Sequence, residues 1–172
     1  SIVDIRERFW MGDNYLSHKK IKETIKTIEK LKIPLTIYEV LTLVFLINAS
    51  NKNNHFVIQE AGCLWRLDSN NVLDFPLMQV IVNINKQHLN FVKKKTLNEI
   101  IYQKVGFLSH FTKIYIGKQK LKVKNKIKNI LKKNTSEKYF SNNWKLIKTN
   151  GNYYYRDKGI KIKLKTKYIH SQ

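Results

Sequence analysis

Short apolar segments alternate with amphipathic helical patterns along the first two thirds of the chain, and this alternation is the strongest constraint on the fold. The patterns predict helices at residues 17–31, 36–49, 96–106 and 119–133, and strands at 55–58, 78–84 and 113–116. Residues 3–9 alternate and are expected to form a strand or an extended segment. Strands that alternate with helices are typical of an α/β protein with a mostly parallel sheet flanked by helices. Segment 78–84 is apolar except for Gln79 and Asn83, which predicts a strand in the middle of a sheet that is covered on both faces.

The end of the chain has a different pattern. Residues 144–149, 153–156 and 160–164 form three short segments with strand character, separated by turn signals at 150–152 and 157–159. Asn-Gly between two such segments is a strong hairpin signal. We therefore expect a C-terminal β-hairpin extension to follow the α/β part.

Length and composition are compatible with one compact domain, expected here to be a single partial domain over residues 1–172. The chain has 172 residues, of which 42% are hydrophobic. Its apolar runs are all shorter than the roughly 18 residues of a membrane span, so we expect no membrane partner. Cys63, the single cysteine, excludes an internal disulfide and a cysteine-based zinc site. A cytoplasmic protein fits these properties.

The formal net charge of +21 is concentrated in the last third of the chain. Residues 113–172 contain 18 basic and two acidic residues, and the whole chain has 29 lysines but only four arginines. Proteins that read nucleic acid tend to use arginine, whose planar fork binds phosphate and guanine bidentately. The Lys, Asn and Ile content is also that of an AT-rich coding sequence. We therefore expect no nucleic-acid partner.

Two loops that follow expected strands contain polar side chains. Residues 59–72 follow the 55–58 segment, and residues 83–88 follow the 78–84 segment. In open α/β sheets, ligands bind at the carboxyl ends of the strands. Glu60 falls just past the end of the expected strand, where a carboxylate can reach phosphate-bound Mg²⁺. From spacing alone, a lone glutamate or histidine such as His88 in a loop is more often solvated than bound to a metal ion.

Five segments resemble, in order and spacing, the middle of the folylpolyglutamate synthase/dihydrofolate synthase family of the Mur ligase superfamily. They are Arg6-Glu7-Arg8, residues 35–42 (Leu-Thr-Ile-Tyr-Glu-Val-Leu-Thr), 60–72 (Glu-Ala-Gly-Cys-Leu-Trp-Arg-Leu-Asp-Ser-Asn-Asn-Val), 82–88 (Val-Asn-Ile-Asn-Lys-Gln-His) and 96–106 (Thr-Leu-Asn-Glu-Ile-Ile-Tyr-Gln-Lys-Val-Gly). The resemblance covers residues 1–117 well. It covers the basic helix and hairpins of 118–172 loosely, through Trp144, residues 155–157 and the final His170-Ser171-Gln172.

The resemblance implies a P-loop-like Mur ligase central domain that handles ATP and Mg²⁺. Such a ligase phosphorylates a carboxylate, and an amine then attacks the acyl phosphate to form an amide. The implied substrates are folate or dihydropteroate and L-glutamate, and the protein would be a monomer. The implied metal ligands are Glu60 and His88, and Lys104 matches a lysine that is carbamylated. The implied substrate pocket consists of Thr36, Ile37, Tyr38, Glu39, Leu67, Asp68 and Ser69.

The chain departs from the family pattern in its loops and lacks two parts of the family's enzymes. Leu64 and Trp65 replace glycines, Asn85 replaces another, and Gln87 replaces an aspartate beside His88. Asn85 could adopt the left-handed backbone region that glycine allows. The sequence contains no G-x-x-G-K-[ST] phosphate loop, so the P-loop strand is expected upstream and the C-terminal ligase domain downstream. We therefore expect a fragment that is inactive alone.

Two other interpretations remain open. One is a basic module that binds nucleic acid through residues 113–167, with aromatic side chains for base stacking. Against it, the lysines at 118, 120, 122, 124, 126 and 128 alternate with period two, which spreads them around a helix. The other is a degenerate, non-catalytic relative, which the Trp65 and Gln87 changes would suit.

Overall fold

The computed structural model describes residues 4–51, 56–141, 144–157 and 159–164. The chain divides into two compact units. The first contains Ser1–Cys63 and Leu67–Val72, and the second contains Leu64–Arg66 and Leu73–Gln172. Each unit has its own hydrophobic core and is described separately.

The first unit is helical. It contains helix α1 (His18–Glu29), which Ser17 caps, and helix α2 (Ile37–Ser50), which begins at a capping box formed by Thr36 and Glu39. Both helices were predicted, with ends within two residues. Their apolar sides enclose a core of Phe9, Leu16, Ile21, Ile28 and Val44.

Two predictions of strand or extended structure in this unit are wrong. Residues Ile5–Arg8 form a short 3-10 helix, because the Asp4 carboxylate accepts hydrogen bonds from the backbone and side chain of Arg6 and so favours a local turn. Of the expected strand at 55–58, His55 lies outside the described residues. Residues 56–58 belong to neither a helix nor a strand, and Phe56 and Ile58 are 75% and 88% exposed.

The second unit contains the parallel sheet. Strands β1 (Met78–Ile81), β2 (Lys113–Ile116) and β3 (Glu137–Phe140) pair in the order β1-β2-β3. Helix α3 (Leu97–Val105) connects β1 to β2, and helix α4 (Leu121–Ile130), continued by a 3-10 turn at Leu131–Lys133, connects β2 to β3. Parallel pairing through helical crossovers confirms the α/β expectation. The predicted helix at 119–133 corresponds to α4 and this turn.

One face of the parallel sheet is buried against α3 and α4. The shared core has no exposed member and includes Ile81, Ile100, Ile114, Ile116, Val123 and Ile127. The other face carries Met78 and Val80, which are 49% and 65% exposed. The expectation that residues 78–84 form a central strand covered on both faces is therefore wrong, because β1 ends at Ile81 and lies at the edge of the described sheet.

A network of buried polar side chains joins the amino ends of the three parallel strands. Gln79 exchanges hydrogen bonds with the backbone of Ser109, and Asn134 donates to the carbonyls of Leu108 and Ser109. Ser136 also donates to the Ser109 carbonyl. Each bond satisfies a group that would be costly to bury alone. The network therefore fixes the loop before β2 to both neighbouring strands.

The C-terminal extension is a three-stranded antiparallel sheet. Strands β4 (Trp144–Thr149), β5 (Asn152–Asp157) and β6 (Lys161–Leu164) pair in sequence order. Asn150 and Gly151 form the first turn with φ of 49° and 72°, the left-handed values of a two-residue hairpin turn. The three strands confirm the predicted hairpins. In the described part of the chain, no helix is long and apolar enough to cross a membrane.

Candidate functional site

In the first unit, residues 60–63 and 67–70 are folded around Asp68. One oxygen of the Asp68 carboxylate accepts hydrogen bonds from the backbone nitrogens of Gly62 (2.8 Å) and Cys63 (3.4 Å). Its other oxygen accepts from the backbone nitrogen of Asn70 at 3.0 Å. Both carboxylate oxygens are thus used inside the loop, in a position that the family resemblance assigns to the substrate pocket.

Two further residues connect this loop to its surroundings in the unit. The Asn70 amide donates to the backbone carbonyl of Glu60 at 2.7 Å. Thr42 is buried on α2. Its hydroxyl lies 3.0 Å from the Ser69 hydroxyl and 3.1 Å from the Asn70 side-chain oxygen, so it can form a hydrogen bond with either group. The loop is therefore fixed to α2 by side chains that lie far away in sequence.

Glu60 is held by its backbone and has an exposed side chain. No described residue donates a hydrogen bond to its carboxylate, whereas its carbonyl binds Asn70. An exposed carboxylate on a fixed backbone suits Mg²⁺, which usually takes one or two protein carboxylates and completes its shell with water and phosphate oxygens. Across residues 4–51, 56–141, 144–157 and 159–164, no group of three or more His, Cys, Asp or Glu forms a ready metal cage.

The predicted pocket residues at the start of α2 divide into two kinds. Thr36 donates from its backbone and its hydroxyl to the Glu39 carboxylate, at 2.6 and 2.7 Å, so both side chains serve the helix cap. These bonds, the side-chain one first, lower the pKa of Glu39 below its usual value. Ile37 and Tyr38 are instead 65% and 59% exposed, and the Arg8 guanidinium lies 6.0 Å from the Tyr38 ring centre.

Leu67 and Ser69, the remaining pocket positions, also differ from each other. Leu67 is 91% exposed, so its side chain is accessible to a ligand. Ser69 is half-buried and receives the Thr42 hydrogen bond. Of the seven predicted pocket residues, the apolar and aromatic ones, Ile37, Tyr38 and Leu67, therefore have side chains that are more than half exposed.

In the second unit, two amide side chains brace the carboxyl end of the parallel sheet. Gln119 donates to the Val82 carbonyl and accepts from the Ile84 nitrogen, while Asn83 donates to the Lys118 carbonyl. Gly117 adds a backbone bond to Ile81 at 2.8 Å, and an added Cβ would approach that carbonyl to 3.2 Å. The loops after β1 and β2 are thus fixed to each other.

His88 follows this braced segment in a left-handed backbone conformation, with φ of 58°. Its ring is half-buried and lies 6.3 Å from the ring of Phe91. Asn85 does not have a positive φ, so the left-handed residue in the loop is His88 itself. A non-glycine residue in this region is uncommon, although histidine is one of the residue types enriched there.

Lys104 lies half-buried in the last turn of α3. The carbonyl of the preceding Gln103 accepts hydrogen bonds from the backbone nitrogens of Trp65 and Arg66, at 3.2 and 3.1 Å. The Arg66 guanidinium stacks 4.9 Å from the Phe107 ring centre. The structure therefore places Trp65 and Arg66 beside the helix end that carries Lys104, an association that sequence spacing did not indicate.

Two of the three residues that replace family glycines, Leu64 and Trp65, have backbone conformations that do not require glycine. Neither Leu64 nor Trp65 has a positive φ, and both pack against the core of the second unit. The bulky side chains are therefore part of the packing. The remaining predicted residues are divided between the units: Glu60 belongs to the first, and His88 and Lys104 belong to the second.

Comparison with known proteins gives matches only among solved structures. No family model and no curated protein matches the chain. Folylpolyglutamate synthase from Thermotoga maritima matches with a TM-score of 0.78 and 20% identity, over 93% of this chain and 39% of that one. Ligand-free bifunctional folylpolyglutamate synthase/dihydrofolate synthase from Yersinia pestis also matches with a TM-score of 0.78 and 20% identity, over 94% of this chain and 40% of that one.

A third structure with the same TM-score and identity is the bifunctional synthase with Mn, AMPPNP and L-glutamate bound, matched over 94% of this chain and 39% of that one. The present chain spans about two fifths of the length of these synthases. Across that span it has the fold of part of a folylpolyglutamate synthase/dihydrofolate synthase.

Proposed function

We propose that the chain is the central ATP-handling part of an ATP-dependent amide ligase that adds L-glutamate to folates, to dihydropteroate, or to both. The observation that carries this proposal is the fold likeness over more than nine tenths of the chain to synthases, one of which is bound to an ATP analogue, Mn and L-glutamate. We also propose that residues 1–172 form one partial Mur-ligase-type domain of a cytoplasmic monomer.

The proposed chemistry has two steps. A substrate carboxylate oxygen attacks the γ-phosphorus of ATP, the bond to the bridging oxygen breaks, and ADP leaves. The glutamate amine then attacks the carbonyl carbon of the acyl phosphate, inorganic phosphate leaves, and the amine loses a proton. Mg²⁺ would offset the charge on the transferred phosphoryl group.

Glu60 and His88 are proposed as metal ligands and Lys104, once carbamylated, as a second source of negative charge at the metal. The exposed carboxylate of Glu60 and the half-buried position of His88 in the loop after β1 support these roles. The exposed side chains of Ile37, Tyr38 and Leu67 are proposed to contact the pteroate part of the substrate. Thr36, Glu39, Asp68 and Ser69 would shape that pocket, since their polar groups already bind within the unit.

The test uses the full-length protein that contains these residues. ATP-dependent incorporation of glutamate into dihydropteroate and tetrahydrofolate is measured for the unmodified protein, Glu60→Ala and Glu29→Ala. Loss of a carboxylate at the metal should lower turnover on the order of 100-fold. Glu29→Ala, at the exposed end of α1, should leave turnover unchanged. Equal turnover in all three would remove Glu60 from the site, and no turnover in any would favour the degenerate relative.

A further inference from the structure

One face of the antiparallel sheet carries a row of three cations that crosses all three strands. Lys145 on β4 pairs with Arg156 on β5, and Arg156 pairs with Lys161 on β6. Residues directly opposite in neighbouring strands point to the same face, so the three side chains lie side by side over about 10 Å. We call this surface, with Lys163 in the adjacent row, the basic sheet face.

No acidic residue balances these charges on the sheet. Asp157 is the one acidic residue of the three strands, and its register with Trp144 places it on the opposite face, where Tyr155 donates to it at 2.9 Å. All four cations are exposed, and the ion pairs of the described residues involve none of them. Like charges directly opposite destabilise a sheet, so this arrangement favours an external anion.

The aromatic side chains distinguish between kinds of anion. A surface that binds single-stranded nucleic acid needs free rings on which bases stack. Tyr154 is the aromatic residue of the basic sheet face, and the Lys161 ammonium already lies 4.6 Å from its ring centre. The rings of Trp144, Tyr153 and Tyr155 belong to the opposite face by register. The basic sheet face thus offers closely spaced charges, three of four from lysine, without a stacking platform.

We propose that the basic sheet face binds a chain of carboxylates, namely the oligo-γ-glutamyl tail of a polyglutamylated substrate or product. This inference rests on the proposed function, because each added glutamate leaves one free α-carboxylate and makes the tail a polyanion. A row of three cations can engage several carboxylates of one tail at once, so affinity rises with tail length.

The test measures binding of fluorescein-labelled γ-linked glutamate peptides of one, three and six residues to the 172-residue chain by fluorescence anisotropy. It requires neither ATP nor turnover, so its result is separate from that of the ligase assay. The expected result is affinity that increases with length and falls with salt. The triple variant K145Q/R156Q/K161Q should bind the six-residue peptide roughly tenfold more weakly, as expected for losing three exposed ion pairs.

The control variant K122Q/K132Q/K133Q removes the same charge from α4 and the turn that follows it. It should bind the peptide like the unmodified chain, and circular dichroism should show that both variants are folded. Equal loss in both variants would overturn the proposal in favour of diffuse charge attraction. Tighter binding of a six-nucleotide DNA strand than of the peptide, lost in K145Q/R156Q/K161Q, would assign the face to nucleic acid instead.

Discussion

Asp68 shows how a single carboxylate can organise a loop. Its two oxygens accept three backbone hydrogen bonds, from Gly62, Cys63 and Asn70. A carboxylate can accept at both oxygens, whereas an amide offers one acceptor and two donors. The loop that carries Glu60 therefore depends on the charge state and shape of this one side chain.

We predict that Asp68→Asn loosens residues 60–70 without unfolding the chain. The amide would leave backbone donors without acceptors, at a cost of about 1–3 kcal/mol. Hydrogen exchange of the loop amides should accelerate, while exchange in α1 should not change. Asp74→Asn, at an exposed position nearby, is the control and should exchange like the unmodified chain. Unchanged loop exchange in Asp68→Asn would show that the carboxylate does not hold the loop.

The residues that brace the candidate site could not be predicted from sequence. Asn70 reaches Glu60 across ten positions, and Gln119 reaches Val82 across 37. A side-chain amide gives no periodic signal, and its partner is a backbone group that every residue has. The family resemblance identified Glu60, His88 and Lys104 as candidates, but the hydrogen bonds that fix these segments appear only when the chain is folded.

At the level of elements, the first two helices were predictable because their start signals are local. Ser17 and Thr36 stand directly before an apolar periodicity, and each caps its helix as expected. Strand β3 was missed because Glu137–Phe140 contains two charged and two aromatic residues, without a continuous apolar run. Its strand conformation depends on pairing with β2, a contact between residues 24 positions apart.

The capping box of α2 should stabilise the folded chain. Thr36→Ala removes the cap and should lower the free energy of unfolding by about 1 kcal/mol. Thr27→Ala, inside α1 and exposed, is the control and should have a small effect because its hydroxyl bonds only its own helix. Urea denaturation near pH 7 distinguishes the two. Equal values for both variants would mean that the cap does not stabilise the chain.

The sign of the pH effect follows from the pKa of Glu39, which is lowered in the folded chain by the hydrogen bonds from Thr36. Its contribution to stability is fully present above the ordinary carboxyl pKa of 4.5 and is lost as pH falls through the lowered folded value. The difference in unfolding free energy between the unmodified chain and Glu39→Gln should therefore shrink on acidification. A difference that stays constant to low pH would contradict this linkage.

The two turns of the antiparallel sheet provide a matched pair of glycines. Gly151 has φ of 72°, whereas Gly159 does not have a positive φ, and an added Cβ would meet nothing within 4 Å at either position. Gly151→Ala should thus cost about 1 kcal/mol through backbone strain alone, and Gly159→Ala should be neutral or slightly stabilising. Thermal unfolding monitored by circular dichroism gives the comparison. Equal melting temperatures would show that the first turn tolerates a side chain.

At the scale of the whole molecule, the excess of basic residues and the predicted site residues lie in different parts of the sequence. Residues 113–172 carry 18 of the 33 basic residues but only two of the 12 acidic ones, whereas the predicted site residues lie between 36 and 104. Some of these basic residues form the basic sheet face. Others lie on α4, where Lys124 and Lys128 approach the Phe140 ring. The sequence shows the excess of basic residues, but only the strand register shows which of their side chains lie next to one another on the sheet.

The 172-residue chain should show no ligase turnover by itself. It contains no G-x-x-G-K-[ST] sequence to hold the phosphates of ATP, and it spans about two fifths of the synthases that share its fold. Radiolabelled glutamate incorporation with ATP and Mg²⁺ should remain at background for this chain, while an active folylpolyglutamate synthase measured beside it provides the positive control. Incorporation above background by the 172-residue chain would mean that its own loops bind and activate the nucleotide. Glu60→Ala in that active chain would then show whether the predicted carboxylate takes part.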